Sequence, residues 1–364
     1  MDFTLGEELE EVRGLARQIF TDYATADRLR AAEQSENGVD EELWKALVES
    51  GLLGIALPEE DGGAGLGVGG LCVLLEEQGR TVAPVPVWPA LVAGLTIAGH
   101  GTSEQRESLL PGIVEGTARV TVALEEFAPA DPAGPACSAT PDGDGWKLTG
   151  VKAVVPSAFG ARYVLVTART EDGPGVFVVE TSAPGMVWER AETTSRDVAG
   201  SLTLEGAPAQ ALGEGALRTV LDLTRVAVTA VQAGVADGAM RLAGSYLSER
   251  EQFGRPLATF QAAQHQLADC YIEIEAMKVC LWKAVSLLDA GEDATTAALT
   301  AKWWADEGGL NTVHRAQHLH GGIGVDVDYP VHRYFLWGKQ LSGTLGGASA
   351  DLAELGDVLA GAAS

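Results

Sequence analysis

Basic residues are scarce in this chain: 25 Lys and Arg stand against 51 Asp and Glu in 364 residues, a formal charge of −26. A surface that tracks phosphates needs a basic patch, so a nucleic-acid partner is not expected. Cysteine is scarcer still. Cys72, Cys137, Cys270 and Cys280 show no CxxC spacing and have apolar or small neighbours, which predicts buried free thiols and no zinc site. No apolar run approaches the roughly 18–20 residues that cross a bilayer, and the opening MDFTLGEELEEVRGLARQIF is acidic and amphipathic, unlike a signal peptide. These absences predict a cytoplasmic protein with no membrane partner. Also missing are a strand-linked GxGxxG, a P-loop, HExxH and a Ser-His-Asp arrangement, which argues against a βαβ dinucleotide fold and against hydrolase or metalloprotease chemistry. Glycine is plentiful at 45 but has no period, so no repeat architecture is indicated.

What is present has a clear order. Leu9, Val12, Ala16, Ile19 and Phe20 recur at spacings of three and four, the signature of one helix face. Asp40 is placed to cap a second helix carrying Leu43, Trp44, Leu47 and Val48 and ending near Gly51. LPEEDGGAGLG (57–67) is too rich in glycine to stay helical. LCVLLEEQGR resumes the helical pattern, and GTSEQRESLLPGIVEG predicts a short helix closed by Pro111 and Gly112. Past Gly116, runs such as RVTVAL, GWKLTGVKAVV, RYVLVTART, GVFVVE and SLTLEG are rich in Val and Thr and bounded by Gly, Pro and Asp, which predicts strands. Helical periodicity returns from Glu214. The expected class is α+β, with domains at 1–116 (helical), 117–212 (β) and 213–364 (helical).

Three local patterns stand out. In SEREQFGRPLATFQ (248–261), Arg250 and Arg255 flank an aromatic at a Gly-containing break between two long helices, where a guanidinium and a backbone N–H can meet a phosphate; the plain alternative is a helix–helix turn with solvated arginines. In HLHGGIGVDVDYP (318–330), paired glycines allow close backbone approach to a ligand. His314, His318 and His320 fall in or near it, but His318 and His320 diverge on a helix, which disfavours a shared metal. The third, DLTR (222–225), is by itself an i, i+3 ion pair worth a few tenths of a kcal/mol. Glu125 and Glu126 at a strand end point to opposite faces, so they do not readily act together as acid and base.

Taken together with GLLGIALPEEDGGAGLG, LEEQGR, GTSEQRESLLPGIVEG and GWKLTGVK, these motifs resemble the acyl-CoA dehydrogenase family over nearly the whole chain. The resemblance implies an N-terminal helical domain, a middle β-domain and a C-terminal four-helix bundle. It also implies FAD at a subunit interface and oxidation of acyl-CoA to 2-enoyl-CoA, a glutamate taking the α-proton while hydride leaves to the flavin. By resemblance, Arg250, Gln252, Phe253, Phe260, Gln261, Gly321 and Gly322 match the residues that one subunit lends to its neighbour's FAD, with His318 standing where Gln is usual. DLTR implies Asp222 and Arg225 at the acyl-CoA. The half-site each subunit uses for its own flavin departs from the family: Glu125, Glu126, Phe127 and Gly134-Pro135 replace Thr-Glu-Pro and Gly-Ser, and Val154, Val155 and Pro156 replace an aromatic-Ile-Thr strand. Both usual positions of the catalytic glutamate are empty of carboxylate. Leu345 stands at one, or Gly346 with a one-residue shift, and Thr224 at the other. Losses on one side of the cofactor only imply a degenerate subunit that completes a catalytic partner's FAD site, similar to the α2β2 heteromeric enzymes of actinobacterial sterol side-chain degradation. Two other readings stay open: a homomeric dehydrogenase with its base moved to Glu125, Asp222 or Asp351, and a non-catalytic acyl-CoA binding protein.

Overall fold

The N-terminal apolar periodicity becomes α1 (Glu7–Tyr23), followed by α2 (Ala26–Glu33), α3 (Glu41–Glu49), α4 (Gly67–Thr81), α5 (Val87–His100) and α6 (Ser103–Val114) in a computed structural model that describes residues 5–127 and 131–362. Asp40 caps α3 as expected, its side chain accepting the Leu43 N–H at 3.0 Å. The expected stop at Pro111 does not occur: α6 runs to Val114 with Pro111 inside it. Pro111 and Glu107 lie on the exposed face, so the Glu107 carbonyl that loses its helical donor is turned to water.

Strands follow: β1 (Val120–Ala123), β2 (Ser138–Asp142), β3 (Gly145–Pro156), β4 (Tyr163–Thr170), β5 (Gly173–Glu180), β6 (Met186–Glu192) and β7 (Val198–Ala211). They pair in the order β1-β4-β2-β3-β7-β5 with β6 on β7, and a further β4–β5 pairing closes five of them into a ring. Closure leaves free edges only at β1 and β6 among the described strands, and inward Leu148, Val155, Val164, Val166, Phe177 and Leu202 fill the core. The ladder between β3 and β7 slips between Lys152 and Val155, a bulge at 153–154.

The last third is helical: α7 (Ala216–Glu249), a two-residue-strand hairpin β8 (Glu251–Gln252) and β9 (Arg255–Pro256), α8 (Gln261–Asp289), α9 (Thr295–Trp304), α10 (Leu310–His320), α11 (Val331–Gly343) and α12 (Ala348–Ala362). A π-helical segment, Ala305–Gly309, joins α9 to α10. The fold is therefore α+β, helices then strands then helices. By contacts the chain packs as two units, one of residues 29–71 and 84–224 and one of residues 1–28, 72–83 and 225–364. In the second unit α4 meets α7 at glycines: a Cβ on Gly79 would strike the Val231 carbonyl, and one on Gly234 the Glu76 carbonyl.

Two expectations need correction. α7 is long and apolar enough to cross a bilayer, contrary to the reading of the sequence, but 94% of its apolar window is buried within the fold, as befits a core helix. Of the four free thiols three are buried, whereas Cys280 is partly exposed on α8.

Candidate functional site

The RxxFG segment is built to face outward. α7 ends as the Arg250 N–H reaches the Tyr246 carbonyl (2.8 Å), and the Leu257 N–H bonds back to the Arg250 carbonyl (2.8 Å). The two residues between β8 and β9, Phe253 (φ 56) and Gly254 (φ 76), both take the left-handed conformation of a tight hairpin turn. Glycine does so freely, but a phenylalanine there is strained by about 1–2 kcal/mol, and its ring is 90% exposed. Phe260 lies edge-on to it at 6.1 Å, and the Arg255 guanidinium covers Phe260 at 4.1 Å. Arg250, Gln252 and Gln261 are all exposed.

The paired glycines sit beside the root of this hairpin. α10 stops at Gly321 (φ 63), and neither Gly321 nor Gly322 has an atom within 4 Å of where a Cβ would be, leaving the backbone open to a ligand. His318 is exposed, His320 is buried and His314 packs edge-on to Phe335 at 4.8 Å, so the three imidazoles do not converge. His320 instead stacks on Tyr246 (4.7 Å) and lies 5.2 Å from Tyr329. Burial, with Tyr246 and Glu249 beside it, raises the Tyr329 phenol above its ordinary pKa. Tyr246, one turn before Arg250, thus ties the glycine segment to the hairpin.

In the other unit the residues expected to form a flavin cradle are otherwise engaged. Glu126, just past β1, accepts the N–H groups of Ala136 (2.7 Å) and Cys137 (3.1 Å) and the Lys152 ammonium (2.7 Å), which also donates to Thr167 (2.9 Å). Burial alone would raise the Glu126 carboxyl, but Lys152 and the two backbone donors outweigh it and hold it below the usual range. Burial lowers the fully buried Lys152, against the pull of Cys137 and Glu126. Val155 is turned into the barrel core, Val154 is half-buried, and the Pro156 carbonyl accepts the Thr121 hydroxyl at 2.5 Å. Phe127 is exposed and Glu125 half-buried.

Neither position at which the resemblance leads one to expect the base carries an acid. Leu345 is buried with φ 60, flanked by Gly346 and Gly347, and the Thr224 hydroxyl donates to the Val220 carbonyl at 2.6 Å. Asp222 is buried with Arg218 4.0 Å away, and Arg225 is buried with Nη2 2.6 Å from both Glu354 oxygens. Asp351 belongs to a buried group: Lys302 reaches Asp306 at 2.5 and 2.7 Å and lies 4.0 Å from Asp351. Burial beside a second carboxyl lifts Asp306 to about 9 despite the ammonium, and Asp351 is also raised.

The family model "Acyl-CoA dehydrogenase, C-terminal domain" matches residues 213–350, and "Acyl-CoA dehydrogenase, N-terminal domain" matches residues 6–117. The chain belongs to the acyl-CoA dehydrogenase family. It is 34% identical to the acyl-CoA dehydrogenase FadE27 of Mycobacterium tuberculosis over 99% of both chains. Among solved structures it is similar to a chain of the "Tcur3481-Tcur3483 steroid ACAD G363A variant" (69% identity, TM-score 0.97, 99% of this chain and 100% of that one). It is also similar to a chain of the ChsE4-ChsE5 complex of Mycobacterium tuberculosis (35% identity, TM-score 0.94, 99% of each). Acyl-CoA dehydrogenases are FAD-dependent oxidoreductases, which fixes the class of this chain.

Against FAD the two units differ. In one, the outward guanidinium, exposed aromatics and open glycines fit a dinucleotide; in the other, the β-domain corner, with a carboxylate at Glu125 and its N–H donors taken by Glu126, does not. Lys152, Tyr246 and the Lys302–Asp306 pair that Asp351 adjoins were not found from sequence, although Asp351 itself was named as a candidate base. The third had a usable signal: a lysine and an aspartate four apart in the apolar run AALTAKWWAD.

Proposed function

We propose that this chain is the non-catalytic, cytoplasmic subunit of a heteromeric α2β2 acyl-CoA dehydrogenase in steroid and lipid degradation, acting on a sterol-derived acyl-CoA, and that it completes the FAD site of a catalytic partner. Its domains run 1–116, 117–212 and 213–364. The observation that carries the reading is the pairing of an exposed, strained Phe253 beside Arg250 with leucine and threonine at both base positions. Arg250 pairs with the cofactor pyrophosphate, Gln252, Phe253, Phe260 and Gln261 line the same side, and the exposed His318 with open Gly321 and Gly322 approaches it from the backbone. FAD, when bound, supplies the hydride acceptor. Asp222 and Arg225 serve the acyl-CoA side. The structures of the Tcur3481-Tcur3483 steroid ACAD and of the ChsE4-ChsE5 complex, each with a chain similar to this one, support this reading.

A relocated base is less well supported: Asp351 is buried against Lys302, and Asp222 is buried beside Arg218. The test is the flavin absorbance of the chain purified alone and after co-expression with a catalytic acyl-CoA dehydrogenase subunit. Flavin confined to the complex is expected, and stoichiometric flavin with turnover in the lone chain would overturn the proposal. In the complex, Arg250→Ala should weaken FAD by roughly 1.5–3 kcal/mol, the range of a charged hydrogen bond.

A further inference from the structure

Beyond the cofactor residues lies a second feature that the subunit reading leaves unused. The turn after Gly322 exposes Ile323 (38%), Val325 (73%) and Val327 (59%) within eight residues of one another and of the hairpin-anchoring His320. Scattered single apolar residues need no explanation, but three on one short segment do. The segment is tied down by its own hydrogen bonds. Its 3-10 turn spans Gly321–Val325, the Gln317 amide donates to the Gly324 carbonyl (3.0 Å), the Asp326 N–H bonds to the Ile323 carbonyl (3.1 Å), and the Asp326 carboxylate accepts the Asp328 N–H (2.9 Å). Both ends are pinned, by His320 and Tyr329 packed around Tyr246. An apolar surface held in one shape loses little entropy on docking.

We propose that Val325 and Val327 form a preorganised knob by which this chain docks its catalytic subunit, in an apolar groove edged with Lys or Arg. This rests on the subunit reading above. The charge around the knob selects the occupant. Asp326 and Asp328 alternate with the valines and are exposed, as are Glu249 and Glu251 at the hairpin root. Arg250 and Arg255 offset two of these four carboxylates. A second copy of the chain would bring the same acidic edge and another −26 of charge, whereas a basic edge is attracted. The knob adjoins the residues that would reach the partner's FAD, so one docking event seats both.

The probe is the other chain of the Tcur3481-Tcur3483 steroid ACAD, one chain of which is 69% identical to this one, co-expressed with this protein and followed by gel filtration and flavin absorbance. Val325→Asp and Val327→Asp place a charge on an exposed turn, so the lone chain should melt as wild type, while affinity for the partner falls by more than ~30-fold, as for loss of a central apolar contact. Asp326→Lys with Asp328→Lys should slow association about tenfold and reverse its salt dependence. Val187→Asp, an exposed valine on β6, should change nothing. A wild-type complex with flavin that forms equally well from both valine variants overturns the knob and leaves the subunit reading standing. No complex with wild type overturns both, and a change in the lone chain's oligomeric state on Val325→Asp would mean that the occupant is a second copy.

Discussion

Replacing Phe253 by glycine separates a residue that holds its own chain together from one held ready for another. In the lone chain the change removes left-handed strain of about 1–2 kcal/mol, removes an exposed edge-on contact with Phe260 worth about 0.5–1 kcal/mol, and adds a glycine entropy cost of about 0.5–1 kcal/mol. Almost nothing is lost from burial, because the ring is 90% exposed. The terms nearly cancel, and the lone chain's stability should stay within about 1 kcal/mol of wild type, read as the urea midpoint. In the complex the same substitution truncates an aromatic anchor, which costs about 2 kcal/mol or more, roughly 30-fold in FAD retention or assembly. Absorbance after gel filtration of the complex measures it. A lone chain destabilised by several kcal/mol would make Phe253 a structural residue, and an unaffected complex would remove it from the partner's site; either result refutes the reasoning.

Other substitutions probe the scaffold. Lys152→Met breaks an ion pair whose ammonium is fully buried and whose carboxylate is partly exposed, and leaves Glu126 its two backbone donors, so a loss of about 2–3 kcal/mol, at or below the lower end for buried pairs, should appear in chemical unfolding. Because burial raises Asp306 to about 9 from an ordinary value near 4, its contribution is full below pH 4 and is lost as pH rises toward 9; Asp306→Asn should flatten that slope when urea midpoints at pH 6 and pH 9 are compared with wild type. Gly234→Ala forces a methyl into the Glu76 carbonyl and should destabilise the chain by about 2–3 kcal/mol, visible as a lowered melting temperature.

Much of the architecture was legible because it rests on short-range patterns. Apolar residues at three and four gave α1, Asp40 announced α3, and Val-Thr runs between turn residues gave the strands. Pro111 misled because a proline rule assumes the lost donor matters, and on a wet face it does not. α7 was underestimated because a few charges punctuate it, although Asp222, Arg225 and Asp237 are all buried with partners. At the candidate site, the motif residues could be named from the chain, but their outward aim could not, since exposure of Phe253 depends on a two-residue turn whose first position is an unusual residue for it. Lys152 meeting Glu126 across 26 positions, or Glu354 meeting Arg225 across 129, has no local signal at all.

The π-helical segment between α9 and α10 has a rotational meaning. Each residue of an α-helix turns the chain by about 100°, and a π turn absorbs one extra residue without breaking the rod. Ala305–Gly309 therefore takes up one residue locally while the rod on either side keeps its angular phase. Deleting one residue there would restore a plain α-helix and leave His320 facing Tyr246, whereas the same deletion inside α10 would swing His320, the open glycines and the valine turn about a quarter-turn away. The chain thus holds one place, some four turns upstream of its ligand-facing end, where a residue can be lost without changing the compass bearing of that end.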